Sequence, residues 1–120
     1  MVFTLFINKN NAIALTRGDT AFLNFTVCTD DNSEYEMQEG DVLKLTVRRE
    51  ARADSPILLE ASSDTATIYL APEMTSQIDV GDYSYDVQLN TAAGDIFTIV
   101  GATATNLKLK NFTILPGVTV

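Results

Sequence analysis

The amino-acid sequence predicts an all-β fold in one domain, residues 1–120, and three observations support that prediction. Large apolar residues alternate with small or polar ones over 83–89, and a period of two is typical of a half-buried strand. Similar segments recur at short spacing, separated by turn-forming Gly, Asn, Asp and Ser residues. Only 72–77 has the pattern of a helical turn, which Pro72 suits at its first position. These patterns predict a sandwich of about eight or nine antiparallel strands.

The predicted strands follow one another with short connections along the whole chain. They are 2–7, 12–15, 20–28, 42–49, 57–60, 66–70, 83–89, 95–100 and 107–115. Residues 29–41 hold six acidic side chains and are expected to form an exposed loop, and 62–64 a turn. The side chains expected in the core share one parity along five strands: Leu23, Phe25, Val27, Leu43, Leu45, Val47, Ile68, Leu70, Tyr83, Tyr85, Val87 and Leu89.

The segment around the strand 83–89 indicates an immunoglobulin-like version of this sandwich. Asp79, Gly81 and Tyr83 have the spacing of a tyrosine corner, in which a tyrosine at the start of a central strand bonds back to the upstream backbone. The strand is expected to form a hairpin with 95–100, closed by 91–94. We therefore expect this hairpin in the middle of one sheet of the sandwich.

Composition limits the classes of partner. The net charge is −8, and phosphate contacts need Lys and Arg, so neither a nucleic acid nor an anionic membrane is an expected partner. The apolar segment 2–7 has no basic region and no cleavage site of a signal peptide, so it is expected to be a strand. Because Cys28 is the single cysteine, it cannot form an internal disulfide and is expected to be structural.

Three segments together resemble a known family. They are 17–20 leading into an alternating strand, 81–89 followed by Gly94-x-x-x-Thr98-Ile99-Val100-x-Ala102, and the C-terminal 112–119. Their order is similar to the small immunoglobulin-like proteins encoded by tailed phages and prophages of Gram-positive bacteria, such as the N-terminal domain of siphophage upper baseplate proteins. The resemblance implies a virion protein of the tail or baseplate, made in the bacterial cytoplasm. The chain departs from the family in 103–110, which lengthens the last hairpin.

Few residues offer catalytic or metal-binding chemistry. The chain has no histidine, and the acidic residues that follow Cys28 oppose formation of a thiolate. The segment 30–34 has alternating oxygen ligands but lacks the glycine and the distal glutamate of a calcium loop. The candidate acid–base pairs, which solvated turn residues explain more simply, are Asp82 with Asp86 and Asp30 with Glu34. We expect no enzyme, no cofactor and no metal.

Two further motifs have simple structural interpretations. The tripeptide 17–19, Arg-Gly-Asp, matches an integrin-binding motif but is expected to form the turn into a strand. Four basic residues lie close together and are expected either to form a small positive patch or, as we prefer, to protect an edge strand: Lys44, Arg48, Arg49 and Arg52.

The long final hairpin, 100–115, is the predicted interface. Leu107 and Leu109 alternate with Lys108 and Lys110, so one face is apolar and the other basic. We expect this hairpin to dock onto a second copy or onto another virion protein; the competing interpretation is that the two leucines cap the end of their own sandwich. The predicted function is thus a non-enzymatic assembly module. The alternative is a carbohydrate- or cell-surface-binding module, for which the candidate exposed aromatic residues are Tyr35 and Tyr69.

Overall fold

The computed structural model describes residues 3–6, 13–29, 33–100 and 111–117, with the backbone alone for 3–6, 28–29 and 99–100. This part of the chain is all-β, as predicted, with one short helix. The elements are β1 (Phe3–Phe6), β2 (Ile13–Thr16), β3 (Ala21–Asn24), β4 (Thr26–Thr29), β5 (Val42–Arg48), β6 (Ile57–Ser63), β7 (Thr67–Leu70), α1 (Pro72–Ser76), β8 (Gly81–Asn90), β9 (Ile96–Val100) and β10 (Phe112–Leu115).

The largest sheet is curled and mixed. Its order is β2-β10-β8-β5-β6, and β9 also pairs with β8. β8 is its central strand, antiparallel to β5, β9 and β10. β10 runs parallel to β2, so the prediction of a purely antiparallel arrangement was wrong there. The strand that follows β2 in sequence, β3, belongs to another sheet and pairs with β7. In the largest sheet, β2 pairs instead with β10, the last strand of the chain.

The core lies along the alternating faces of these strands. Of the side chains predicted inside, all are buried except Leu23, which is half-buried against them. Phe112 and Ile114 of β10 are fully buried as well, and the Phe112 ring packs edge-on against Tyr85 with centroids 5.9 Å apart. Ile13, Leu59 and Ile78 complete the buried set.

The segment predicted as one strand over 20–28 is two strands with different partners. β3 pairs with β7, β4 pairs with β1, and between them the Phe25 amide donates to the Ala66 carbonyl at 2.8 Å. Phe25 and Val27 are both buried, so the alternation of the side chains continues through the break. The alternation of buried and exposed side chains therefore does not reveal the change of partner strand.

The turn predicted at 62–64 begins later. Ser62 and Ser63 are the last residues of β6, paired with Lys44 and Leu43 of β5. Pairing with a neighbouring strand overrides the weak preference of serine for turns.

Candidate functional site

The edge of β8 opposite β5 is shared by two strands. β9 pairs with residues 87–90 of β8, and β10 pairs with residues 81–83. Both are antiparallel to β8, so they run in the same direction. Residues 84–86 of β8 separate the two pairings, whereas residues 101–111 separate β9 from β10.

Asn111 bonds the backbone of β8 between these two pairings. Its side chain is 3% exposed; Oδ1 accepts from the Tyr85 amide at 2.9 Å, and Nδ2 donates to the Tyr85 carbonyl at 3.4 Å. A carboxamide offers the same donor and acceptor as a peptide group, so it replaces a strand residue here. The backbone carbonyl of Asn111 also accepts from the Ile13 amide at 2.9 Å. One residue therefore joins β8, β2 and the start of β10.

The predicted interface residues, Leu107, Lys108, Leu109 and Lys110, lie outside the described residues. What the structure describes is the strand before them, β9, and Asn111 directly after them. Docking through this segment and capping by its leucines both stay predictions.

The predicted corner residues come together at the start of β8. The Tyr83 hydroxyl donates to the Asp79 carbonyl at 2.6 Å, and Gly81 pairs with Ile114 of β10. The contact fixes the entry of the chain into β8 beside β10. It satisfies a backbone carbonyl with a side chain and so has a structural role.

A second buried polar junction lies at the other end of β8. Asp41 is 2% exposed and accepts three hydrogen bonds: from the Tyr35 hydroxyl at 2.5 Å, from the Gln38 amide at 2.9 Å and from the Ala92 amide at 3.0 Å. Ala92 belongs to the turn between β8 and β9. The carboxylate therefore fastens the loop before β5 to that turn. Gly40 packs so closely on Ala92 that an added Cβ would lie 2.7 Å from the alanine Cβ.

These contacts set the pKa values at the junction. Burial by itself raises the pKa of Asp41, but the hydrogen bonds from Tyr35, Gln38 and Ala92 outweigh it and hold the pKa below the usual value. The same bond to Asp41 is the main reason that the pKa of Tyr35 rises to about 12. Asp41 is therefore charged and Tyr35 neutral over the physiological range.

This junction corrects two predictions. The acidic loop was expected to be exposed, which holds for Glu34, Glu36 and Glu39 but is wrong for Asp41. Tyr35 was expected to offer a free aromatic ring, but it is half-buried, packs on the core and is bonded to Asp41.

The outer face of the β5·β8 pair is polar and partly covered by the loop 49–55. Arg48 donates to the Ser55 carbonyl at 2.6 Å, and the neighbouring Asp86 is partly buried, which raises its pKa although Arg48 and Lys44 oppose the shift. A recess of about 320 Å³ lies between loop and strands. Lys44 is paired with an acidic residue of β6, so the basic side chains do not form an unopposed positive patch. The expected protection of an edge strand was wrong, because β5 lies between β8 and β6.

The Arg-Gly-Asp turn is fastened to α1. The Arg17 guanidinium donates to the Ser76 carbonyl at 2.9 Å, and the Gly18 amide donates to the buried Thr75 hydroxyl at 2.9 Å. Gly18 has a φ of 83°, which favours glycine. These contacts support the interpretation of the tripeptide as a turn.

The acidic pairs and the calcium pattern show no shared site in the described part of the chain. Asp82 accepts a hydrogen bond from the Thr113 hydroxyl at 2.7 Å, whereas Asp86 faces the cations of β5. Asp30 lies outside the described residues, as does the side chain of Cys28. In the ranges that are described, no three potential metal ligands are grouped.

Comparison with protein-family models, with curated proteins and with solved structures gave no match for this chain. Among the described residues, none of the helices has the length and apolar character needed to cross a membrane.

Sequence reasoning missed Asn111, although a signal was present. Asn111-Phe112-Thr113 matches a glycosylation pattern and lies within a predicted strand. An asparagine at the point where a strand resumes is suited to bonding a neighbouring backbone, and this is the role that the structure gives it.

Proposed function

We propose that this protein is a non-enzymatic assembly module of a phage or prophage virion, of the tail or baseplate, built on an immunoglobulin-like β-sandwich. In that arrangement one layer contains β3·β7 with β1·β4, and the other contains the sheet around β8. The corner contact between Tyr83 and Asp79 supports the immunoglobulin-like part of the proposal. The virion part depends on the sequence resemblance described above, and mass spectrometry of purified virions tests it.

One observation supports the assembly role above others: the length of the connection between β9 and β10, the two strands that pair with different parts of β8. Three residues of β8, 84–86, lie between the two pairings, whereas eleven residues, 101–111, connect β9 with β10. Asn111, the last of these residues, bonds the Tyr85 amide. We infer that the docking contact is made by this connection, which includes Leu107 and Leu109.

Charge favours a second copy as the partner. The segment contains Lys108 and Lys110, two of the eight basic residues in an acidic chain. Glu34, Glu36 and Glu39 are exposed in the loop before β5. Lysines of one copy meeting glutamates of another give electrostatic complementarity, while Leu107 and Leu109 supply an apolar contact.

The double substitution Leu107→Asp with Leu109→Asp tests the proposal. Size-exclusion chromatography with light scattering should show an oligomer for the wild type and a monomer with an unchanged melting temperature for the variant. Val80→Asp with Ile96→Asp changes two exposed apolar side chains elsewhere and should leave the oligomer intact. A variant that unfolds indicates that the leucines cap their own domain. A monomeric wild type that binds no other virion protein also contradicts the proposal.

A further inference from the structure

An exposed aromatic pair lies on the outer face of β3·β7. Phe22 and Tyr69 are directly opposite each other in the ladder, with ring centroids 5.2 Å apart and planes inclined by 42°. Phe22 is 64% exposed and Tyr69 is 48% exposed. Both rings therefore keep a large part of their surface in water, where an apolar group gains nothing from folding.

Polar groups continue the same face. The next cross-strand pair is Asn24 with Thr67, whose hydroxyl donates to Asn24 Oδ1 at 2.7 Å. With its oxygen held in this way, the amide turns its NH₂ group away from Thr67. Hydrogen-bonding groups thus lie one pair along from the rings, about 7 Å away at the spacing of a strand.

A groove of about 670 Å³ runs from Tyr69 and Thr67 towards β6. Its lining includes Ser62, which is exposed, and the ion pair of Lys44 with Glu60 at 3.1 Å. Lysine provides only donors and glutamate only acceptors, so a neighbouring pair of them matches two adjacent hydroxyl groups. The volume is that of a typical small-ligand site.

The apolar area is too small for a protein partner. At their exposed fractions the two rings present about 200 Å² of surface, from the area of an aromatic side chain. A standard protein interface buries about 800 Å² on each partner, with an apolar centre. Hydroxyl, amide and charged groups surround the rings here. The face therefore fits a small ligand that has one apolar surface and a polar rim.

We propose that the outer face of β3·β7 and its groove bind a neutral oligosaccharide. One sugar ring stacks its C–H face on Phe22 and Tyr69, and the next places its hydroxyl groups on Thr67, Lys44 and Glu60. A neutral sugar is favoured because the groove holds one cation and one anion in a chain of net charge −8, which repels an acidic glycan.

Two-dimensional amide NMR of the full chain tests the proposal, with chitohexaose, laminarihexaose and maltohexaose as neutral probes and a polygalacturonate oligomer as the acidic one. At least one neutral probe should shift the signals of β3 and β7 with a millimolar to micromolar Kd. Tyr69→Ala should weaken binding about tenfold, which is 1.4 kcal/mol. Ile96→Ala, at an exposed apolar residue of β9, should not change the affinity.

Three outcomes overturn the proposal. They are no shift with any neutral probe, shifts that Tyr69→Ala leaves unchanged, and binding of the acidic probe alone. Concentration-dependent shifts of β3 and β7 without any sugar, abolished by Phe22→Ser, show instead that a second copy covers the rings. Because the predicted assembly segment is elsewhere in the chain, loss of sugar binding and loss of assembly are separate results.

Discussion

Two buried side chains, Asn111 and Asp41, hold parts of the chain together by different chemistry, Asn111 at the middle of β8 and Asp41 at the turn that follows β8. Asn111 uses one donor and one acceptor of a neutral carboxamide to pair with a single residue, Tyr85. Asp41 uses a carboxylate that only accepts, and it collects three donors from two segments. The comparison shows two ways in which a buried side chain holds segments together: an amide that pairs with one backbone residue and a carboxylate that accepts from several donors.

The two junctions differ in how their stability depends on pH. A carboxamide does not titrate, so the Asn111 junction is equally stable in acid and at neutrality. The Asp41 junction depends on an ionised group, and it weakens once that group is protonated.

The largest expected effect is that of Asn111→Leu. It removes the acceptor that bonds the Tyr85 amide and the donor that bonds the Tyr85 carbonyl, so the free energy of unfolding should fall by about 3 kcal/mol. Denaturant melts measure the loss, and hydrogen exchange of the Tyr85 amide should change from slow to fast. Asn24→Leu, at an exposed asparagine, is the control and should cost less than about 1 kcal/mol. Equal losses in the two variants mean that Asn111 does not close the ladder.

For Asp41→Asn, the free energy of unfolding at neutral pH should fall by a smaller amount, about 2 kcal/mol. The carboxamide keeps one acceptor oxygen but turns its NH₂ donor either towards the Tyr35 hydroxyl and the Gln38 amide, which share Oδ2, or towards the Ala92 amide at Oδ1. Glu39→Gln, at an exposed acidic residue of the same loop, should change the free energy by less than about 0.5 kcal/mol. A harmless Asp41→Asn indicates that the loop is held by its apolar contacts alone.

The stability of the wild type and of Asp41→Asn, measured as a function of pH, distinguishes the Asp41 junction from the Asn111 junction. Since the pKa of Asp41 is lower in the folded chain than in the unfolded one, the unfolded chain binds more protons between the two values, and stability rises with pH there. The contribution is complete above about pH 4 and is lost as the pH falls through the lowered value. The difference between wild type and Asp41→Asn should therefore shrink in acid, whereas the cost of Asn111→Leu should stay constant. A constant Asp41→Asn difference would falsify this account.

Tyr35→Phe removes one donor from the carboxylate and keeps the ring. The free energy of unfolding should fall by about 1.5 kcal/mol, which is typical for the loss of a hydrogen bond to a charged group. The pKa of Asp41, followed by carboxyl NMR, should rise towards its usual value, because the phenol bond is one of the contacts that lower it. An unchanged pKa means that the backbone amides alone hold the charge.

The smallest effect is expected for Asp86→Asn, and in the opposite direction. Burial raises the pKa of Asp86, so its ionised form is unfavourable in the folded chain above that pKa, and the penalty disappears as the pH falls through it. The variant should be more stable at neutral pH by about 0.5 kcal/mol or less, because Lys44 and Arg48 already offset part of the cost. A clear destabilisation would show that those cations need the carboxylate.

Alternation of side chains made the all-β fold and eleven of the sixteen residues of the described core cluster predictable, because the inward-facing positions follow from the period of two. Parity does not say which strand is the neighbour, so the change of partner at Phe25 and the parallel pairing of β2 with β10 were not foreseen. The hydrogen bond that Tyr83 donates to Asp79 follows from spacing within one segment.

The site residues were harder because their roles depend on distant contacts. Asn111 acts on Tyr85, and Asp41 acts on Ala92, so neither role is visible in the adjacent sequence. Phe22 has the outward parity of Asn24, but only its pairing with Tyr69 makes it part of a surface.

The molar mass of a segment-replacement variant tests the central claim most directly. In this variant, residues 101–110 become a Gly/Ser sequence of the same length and Asn111 is kept. The account predicts a wild-type oligomer and a variant monomer in light scattering, with the same melting temperature, because the segment is proposed to contact a partner and not its own domain. Equal molar masses, or a variant that no longer folds, would contradict it.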